Sequence, residues 1–349
     1  MNTVLTIIIA ILVFGFLILI HEGGHYFFAR LFRVKIEEFS VGMGPRVLTR
    51  VSKKTGIRYS LSALPIGGYV AMAGEDGESD DPDAFGKKPA WQRLIITAAG
   101  ATVNIVAGLL AMVIIFTAAP IGSTVVGDFP EDKDGSYSVR TEDSGLRDGD
   151  RIVAVGGRRV AIYSELSYEI MRRGTEPLDV TVIRDGERIT LPGVVFPTTE
   201  SSGQTFGMID FRVYPEEKSF GTVVGGACRM SCLIVRMCWE SVFDLIRGRY
   251  TFEAVSGPIG ITSAIGSAAK QGFISLLNIT AVISINLGVM NLLPIPALDG
   301  GRLFVTLAEI ITRKKLPPKV EGTINTVGLM LLLGLTAVVA VKDIIGLFH

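Results

Sequence analysis

Four stretches of this chain carry no charged residue over the length of a bilayer: residues 3–20, 94–127, 271–298 and 323–341. A helix rises ~1.5 Å per residue, so about 20 residues cross a ~30 Å hydrocarbon core. In hydrocarbon every backbone polar group must bond within the protein, which makes such stretches helices. The 349 residues are 48% hydrophobic with mean hydropathy +0.45, too apolar for an ordinary soluble domain. We therefore expect an α-helical polytopic membrane protein with four transmembrane helices. The second stretch is longer than one span, so its end around Pro120 reads as an exit. No basic residue precedes the first stretch, which argues against a cleaved signal peptide. Net charge is zero with pI ≈ 6.9, and nothing points to nucleic acid.

The loops give an orientation. Arg30, Arg33, Lys35, Arg46, Arg50, Lys53, Lys54 and Arg58 face only Glu37 and Glu38 in the loop after the first span. Arg302, Arg313, Lys314, Lys315 and Lys319 make the loop before the fourth span basic too. Excess positive charge stays in the cytoplasm. Both termini and residues 127–270 then lie outside, and four alternating spans satisfy this.

At the inner end of the first span stands His21-Glu22-Gly23-Gly24-His25, holding two of the three histidines. On a helix, His-Glu-x-x-His sets two imidazoles at i and i+4 on one face. There they can share Zn²⁺, with the glutamate between them as general base. The alternative is a chance cluster of interfacial polar residues, but ionisable groups beside hydrocarbon are costly and default to function. A catalytic zinc takes three protein ligands and a water, so one ligand is missing. His349 would lie a membrane thickness away. The third span ends in Asn291-Leu292-Leu293-Pro294-Ile295-Pro296-Ala297-Leu298-Asp299-Gly300-Gly301. Asp299 is its first charge and lies at the histidines' depth, and Pro294 and Pro296 would unwind the helix and let it turn inward. Otherwise Asp299 only caps the next helix.

Between the spans, residues 37–75 alternate and are glycine-rich. Phe39, Val41, Val47, Leu48, Val51, Ile57, Tyr59 and Leu61 suggest strands, Lys53-Lys54-Thr55-Gly56 a hairpin turn, and Pro65, Gly67 and Gly68 a break. The hairpin either dips into the membrane or stays peripheral. Residues 127–217 are charged, with strand-like runs at 137–140, 151–155, 178–184, 188–191 and 208–213 and a helix-like run at 163–173. Gly145-Leu146-Arg147-Asp148-Gly149-Asp150-Arg151-Ile152 leading into a strand resembles a PDZ domain, the other reading being some other small β-rich domain. PDZ domains take extended peptides or C-termini by strand addition. Residues 220–249 recur apolar at helical spacing among charges, as an interfacial amphipathic helix would; a weak extra span is the other reading, disfavoured because it would break the alternation of the loops. Cys228, Cys232 and Cys238 read as small residues on that helix, or as a soft-metal cluster, and not as disulfides.

Together these motifs resemble the site-2 protease family of intramembrane zinc metalloproteases, in particular bacterial PDZ-containing members that regulate extracytoplasmic stress responses. The likeness covers nearly the whole chain. His21, Glu22 and His25 match its His-Glu-x-x-His. Asn291, Pro294, Asp299 and Gly300 match Asn-x-x-Pro-x-x-x-x-Asp-Gly. Gly100 and Asn104 match Gly-x-x-x-Asn, Gly42-Met43-Gly44 falls at a Gly-x-Gly element of the hairpin, and Ser256-Gly257-Pro258-Ile259-Gly260 resembles a family segment. Ala101 departs from the proline many members have there, and one PDZ-like domain replaces the two of some relatives.

The resemblance implies a metalloendopeptidase in the bacterial inner membrane. Zn²⁺ would be held by His21, His25 and Asp299, with Glu22 as base. Asn291, or secondarily Asn104, would donate to the oxyanion, although Asn104 serves equally as glue between helices. Substrate binding would fall to Gly42, Met43, Gly44, Gly100 and Pro294. The implied partners are single-span membrane proteins already trimmed outside, the lipid bilayer, and peptides at the PDZ-like domain. The expected order is a first helix (1–36), membrane-associated β-hairpin (37–75), cytoplasmic linker (76–91), second helix (92–119), extracytoplasmic PDZ-like α+β domain (120–217), amphipathic segment (218–270), third helix (271–299), cytoplasmic loop (300–322) and fourth helix (323–349).

Overall fold

The computed structural model describes residues 2–75, 77, 79–130, 139–201, 204–248, 257–314 and 317–346. His349, Ser256 and half of the expected strand at 137–140 fall outside them. The chain forms two compact units, residues 1–111 with 234–349, and residues 112–233.

In the first unit α1 (Thr3–Leu31) is followed by β1 (Ile36–Val51), β2 (Arg58–Met72) and α2 (Ala90–Ala118). Membrane helices pack through small residues, because lipid offers no hydrophobic drive between them. A Cβ on Gly24 of α1 would stand 2.7 Å from the Ala99 carbonyl of α2. The partnership of His21 with Asn104, and of Gly24 with Ala99, makes α1 and α2 antiparallel. After α5 (Pro258–Gln271), α6 (Phe273–Leu292) packs on α2 in the same manner. Gly288 meets the Ala101 carbonyl and Gly108 meets Ile285, so α6 runs parallel to α1. The helices α7 (Asp299–Thr312) and α8 (Pro318–Gly346) complete this unit.

The two long strands pair antiparallel, and each bends back on itself. Residues 38–41 are flanked by 68–71 on one side and by 58–61 on the other, while 58–62 also pair with 46–51. Gly42 and Gly44, at φ +86°, make the bend in β1, and Gly67, at φ +77°, the bend in β2. The expected break at Pro65–Gly68 is therefore corrected: the strand kinks there and continues to Met72, leaving 68–72 as an outer edge. The turn at residues 53–56 forms as expected, with the Gly56 N–H donating to the Ser52 carbonyl at 2.8 Å.

In the second unit the strands are β3 (Gly122–Val126), β4 (Arg151–Val155), β5 (Arg158–Arg159), β6 (Leu178–Arg184), β7 (Glu187–Val194), β8 (Thr198–Ser201), β9 (Gln204–Gly207) and β10 (Val213–Pro215). A six-stranded sheet runs β10-β3-β4-β6-β7, with β5 beside β4, and β8 and β9 form a separate hairpin. Helix α3 (Tyr163–Arg173) buries Leu166 and Ile170 in a core with Leu146, Ile152, Val180 and Phe196. Gly145 and Gly149, at φ +92° and +85°, turn the loop so that Leu146 plugs this core. Buried Asp150 pairs with Arg184 at 2.7 Å. Residues 208–213 are not one strand, because β9 ends at Gly207 and β10 starts at Val213. The two ends of the stretch that carries this sheet are neighbours: the Glu216 N–H donates to the Ile121 carbonyl at 2.7 Å.

Among the described residues five helices are long and apolar enough to cross a membrane: α1, α2, α6 and α8, which hold the four expected spans, and α4 (Phe220–Ile246). It is one continuous helix, as the expected amphipathic segment would be. Its cysteines are free thiols.

Candidate metal centre

The last third of α1 brings His21 and His25 onto one face, one helical turn apart. Their Nε2 atoms are 3.3 Å from one another. The chain leaves α6 at Leu293, and Ala297 adopts φ +71°, a left-handed conformation that costs a non-glycine residue about 1–2 kcal/mol. Its N–H donates to Asn325 Oδ1 of α8 at 3.4 Å. This turn lets α7 start with Asp299, whose Oδ2 lies 3.1 Å from His21 Nε2 and 3.2 Å from His25 Nε2. The N-cap of α7 is Leu298, with no side-chain cap bond, so Asp299 is turned to the histidines and is not the cap.

The surroundings fix which atoms face inward. His25 Nδ1–H donates to the Ile96 carbonyl at 2.8 Å, leaving Nε2 a bare lone pair. The Asn104 amide lies 3.2 Å from His21 Nδ1, fully buried. The structure sets Asn104 Nδ2 toward that ring nitrogen. With the amide turned over, its oxygen accepts from His21 Nδ1–H and Nε2 again keeps its lone pair. Asp299 Oδ2 is likewise buried with no hydrogen bond. Three acceptors facing each other repel unless a cation sits among them. Donors ~2.0–2.1 Å from a tetrahedral zinc stand about 3.3–3.4 Å apart, close to the triangle seen here. Gly100 of α2 lies beneath, where a Cβ would overlap His25 Nε2. Among the described residues this is the one cluster of three or more His, Cys, Asp or Glu that could hold a metal ion.

A cavity of about 580 Å³ opens on the cluster, lined among others by Glu22, Met43, Tyr69, Thr97 and Asn291. Glu22 faces it with Gly68 packed against its side chain, where a Cβ would come within 3.0 Å of Glu22 Cγ. The Asn291 side chain makes no hydrogen bond among the described residues, so its amide is available to a bound peptide. Asn104 is not in the cavity lining: its amide stands behind His21, against Nδ1. Of the hairpin element, Met43 lines the cavity, while Gly42 and Gly44 shape the bend. Gly100 and Pro294 lie outside the lining, the first as the floor under the imidazoles and the second in the turn toward Asp299. Sequence reasoning missed the edge segment 67–72 and the ion pair of Arg302 with Glu75 at the cavity's rim. Arg302 follows Asp299 by three residues, which was the available signal.

The family model described as Peptidase family M50 matches residues 9–335. The chain belongs to peptidase family M50. It is 37% identical over 342 residues to the protein named Putative zinc metalloprotease CA_C1796 of Clostridium acetobutylicum, covering 97% of each chain. It is 32% identical over 346 residues to Putative zinc metalloprotease FN1322 of Fusobacterium nucleatum, covering 99% of this chain and 100% of that one. Regulator of sigma-W protease RasP of Bacillus subtilis is 26% identical over 427 residues, with 98% and 99% covered. The M50 chain described here is thus a zinc metalloprotease and a multi-pass membrane protein.

Proposed function

We propose that this M50 protein cleaves the transmembrane segments of single-span membrane proteins whose outer domains have already been removed, such as anti-sigma factors or signal-peptide remnants. The observation that carries this is the position of Glu22, between the three-ligand cluster and the edge segment 68–72. His21, His25 and Asp299 would hold the zinc, whose charge, when bound, acidifies water and polarises the scissile carbonyl. Glu22 takes a proton from the attacking water and passes it to the departing amine. Asn291 donates its amide N–H to the developing oxyanion. A helical substrate hides its amides in hydrogen bonds and must first be unwound. Adding to residues 68–72 as a further strand would hold it extended in front of Glu22.

We further propose four crossings. The parallel run of α1 and α6, with α2 antiparallel, requires an even number of crossings between α2 and α6. Gly266 of α5 packs on Thr6, 15 residues before His21, and Gly257 packs on Asp343, 15 residues beyond Gly328, which packs on Pro296 near the metal cluster. Both ends of α5 therefore sit at the level opposite the metal cluster, and α5 supplies no return crossing for α4. Loop charge supports the cytoplasmic side for the cluster. The sheet of residues 122–215 supports a PDZ-like domain outside that excludes untrimmed proteins.

The test is cleavage of a tagged, outer-domain-trimmed single-span substrate in reconstituted membranes, comparing the native protein with Glu22→Gln and measuring zinc in both. Cleavage lost with zinc kept supports Glu22 as the base. Equal processing by both would sink the mechanism.

A further inference from the structure

A second, basic cavity of about 450 Å³ lies at the end of α1, lined by Arg30, Arg33, Val34, Lys35, Asp81 and Asp83. Backbone bonds set its walls. Arg33 is left-handed at φ +55°, the Val34 N–H donates to the Ala29 carbonyl at 2.8 Å, and the Lys35 N–H donates to the Asp83 carbonyl at 3.0 Å. Both acids are already matched. Asp81 accepts from Lys35 Nζ at 2.6 Å and from the Asp83 N–H at 2.9 Å, and Asp83 accepts from Lys88 Nζ at 2.7 Å. Arg30 and Arg33 have no carboxylate partner among the described residues. Two guanidinium groups thus share one concavity with their charge uncompensated.

The apolar surface beside them is equally telling. Phe27, Arg30 and Leu31 are spaced i, i+3, i+4 and lie on one face of α1. Phe27 and Leu31 are 61% and 59% exposed. Exposed Trp91, at the start of α2, packs edge-on against Phe32 at 5.3 Å. An apolar helix face that ends in a basic pocket, flanked by an interfacial tryptophan, has the profile of one amphiphile: chain below, anionic head above.

We propose that this cavity binds the phosphate of an anionic glycerophospholipid, with an acyl chain along Phe27 and Leu31. The phosphodiester oxygens accept from the planar N–H forks of Arg30 and Arg33. A free phosphate would satisfy the arginines and leave Phe27, Leu31 and Trp91 uncovered, which is why the lipid is preferred. The site is separate from the catalytic cavity. It borders it through the backbone, since the Ala73 N–H, just beyond β2, donates to the Lys35 carbonyl at 2.9 Å.

The zinc-loaded full chain in phosphatidylcholine nanodiscs, doped with a photoactivatable phosphatidylglycerol, tests this directly. Adducts are expected within residues 27–35 and at Trp91. Arg30→Gln with Arg33→Gln should weaken labelling about 25-fold, about fivefold for each arginine. Lys53→Gln with Lys54→Gln, in the exposed hairpin turn, should leave it unchanged. Unlabelled phosphatidylglycerol should compete on the native protein while phosphatidylcholine does not, a comparison that needs no variant. Equal labelling by a phosphatidylcholine probe, or undiminished labelling of the double arginine variant, would overturn the site. Displacement by inorganic phosphate as effective as that by the lipid would make it an anion site and overturn the lipid assignment.

Discussion

Gly100 sets its α-carbon against both imidazoles, so the centre has no room for a methyl group there. Gly100→Ala is expected to weaken zinc binding about ten- to a hundredfold, the equivalent of roughly 1–3 kcal/mol of overpacking, with helix content unchanged. Competition against a chelator reads the first and circular dichroism the second. Behind His21, the Asn104 amide, with its oxygen turned to Nδ1, would fix the ring's tautomer. Asn104→Leu should lower zinc affinity about 10–100-fold, while Asn104→Asp, which keeps an acceptor, should recover most of it. If both variants bound zinc like the native protein, Asn104 would be no more than a contact between α1 and α2. Sequence alone left this amide with two roles, because spacing cannot say on which side of an imidazole a neighbour stands. The same limit hid Ala297: a left-handed alanine has no signature in composition, yet it aims Asp299.

Among the elements, long apolar periods were legible and short edge strands were not. The spans, the helix at Tyr163–Arg173 and the strands at Arg151–Val155 and Leu178–Arg184 follow from pattern alone. Strand β10 has three residues, too few for an alternation to register, and β3 lies inside the uncharged run 94–127, where it was masked as the exit of a span. The bend through Gly67 disguised a strand as a stop. That hairpin is tied by a buried carboxylate: Glu38 takes both Arg46 nitrogens at 2.9 and 2.7 Å and the Ser60 hydroxyl at 2.6 Å. Burial alone would raise its pKa, but Arg46, Ser60 and Tyr69 outweigh burial and bring it from 4.5 down to about 2. The folded value lies below the unfolded one, so the stabilisation is complete above about pH 4.5 and is lost as pH falls toward 2. Hydrogen-exchange protection factors at residues 38–41 and 58–61, taken relative to the intrinsic rate at each pH, should therefore fall across that window. Glu38→Gln should exchange faster at neutral pH, by about 1–3 kcal/mol of lost protection, and lose the acid dependence. Identical profiles for the two proteins would refute this role.

For the whole molecule, the zinc cluster lies in one unit and residues 122–215 in the other. Joining residue 121 to residue 216 directly should leave zinc content intact and allow processing of substrates that still carry their outer domains. Gel analysis of trimmed and untrimmed substrate side by side decides it, and a junction variant still blind to untrimmed substrate would assign the filtering elsewhere. The adjacency that makes this splice feasible has another consequence. A free chain of 94 residues between Ile121 and Glu216 would resist having its ends joined, by about 4 kcal/mol for loop closure. The folded domain holds those ends one hydrogen bond apart. It therefore works as a clasp on the helices it joins: whatever melts it releases the ends of α2 and α4, and a partner that stiffens it tightens them.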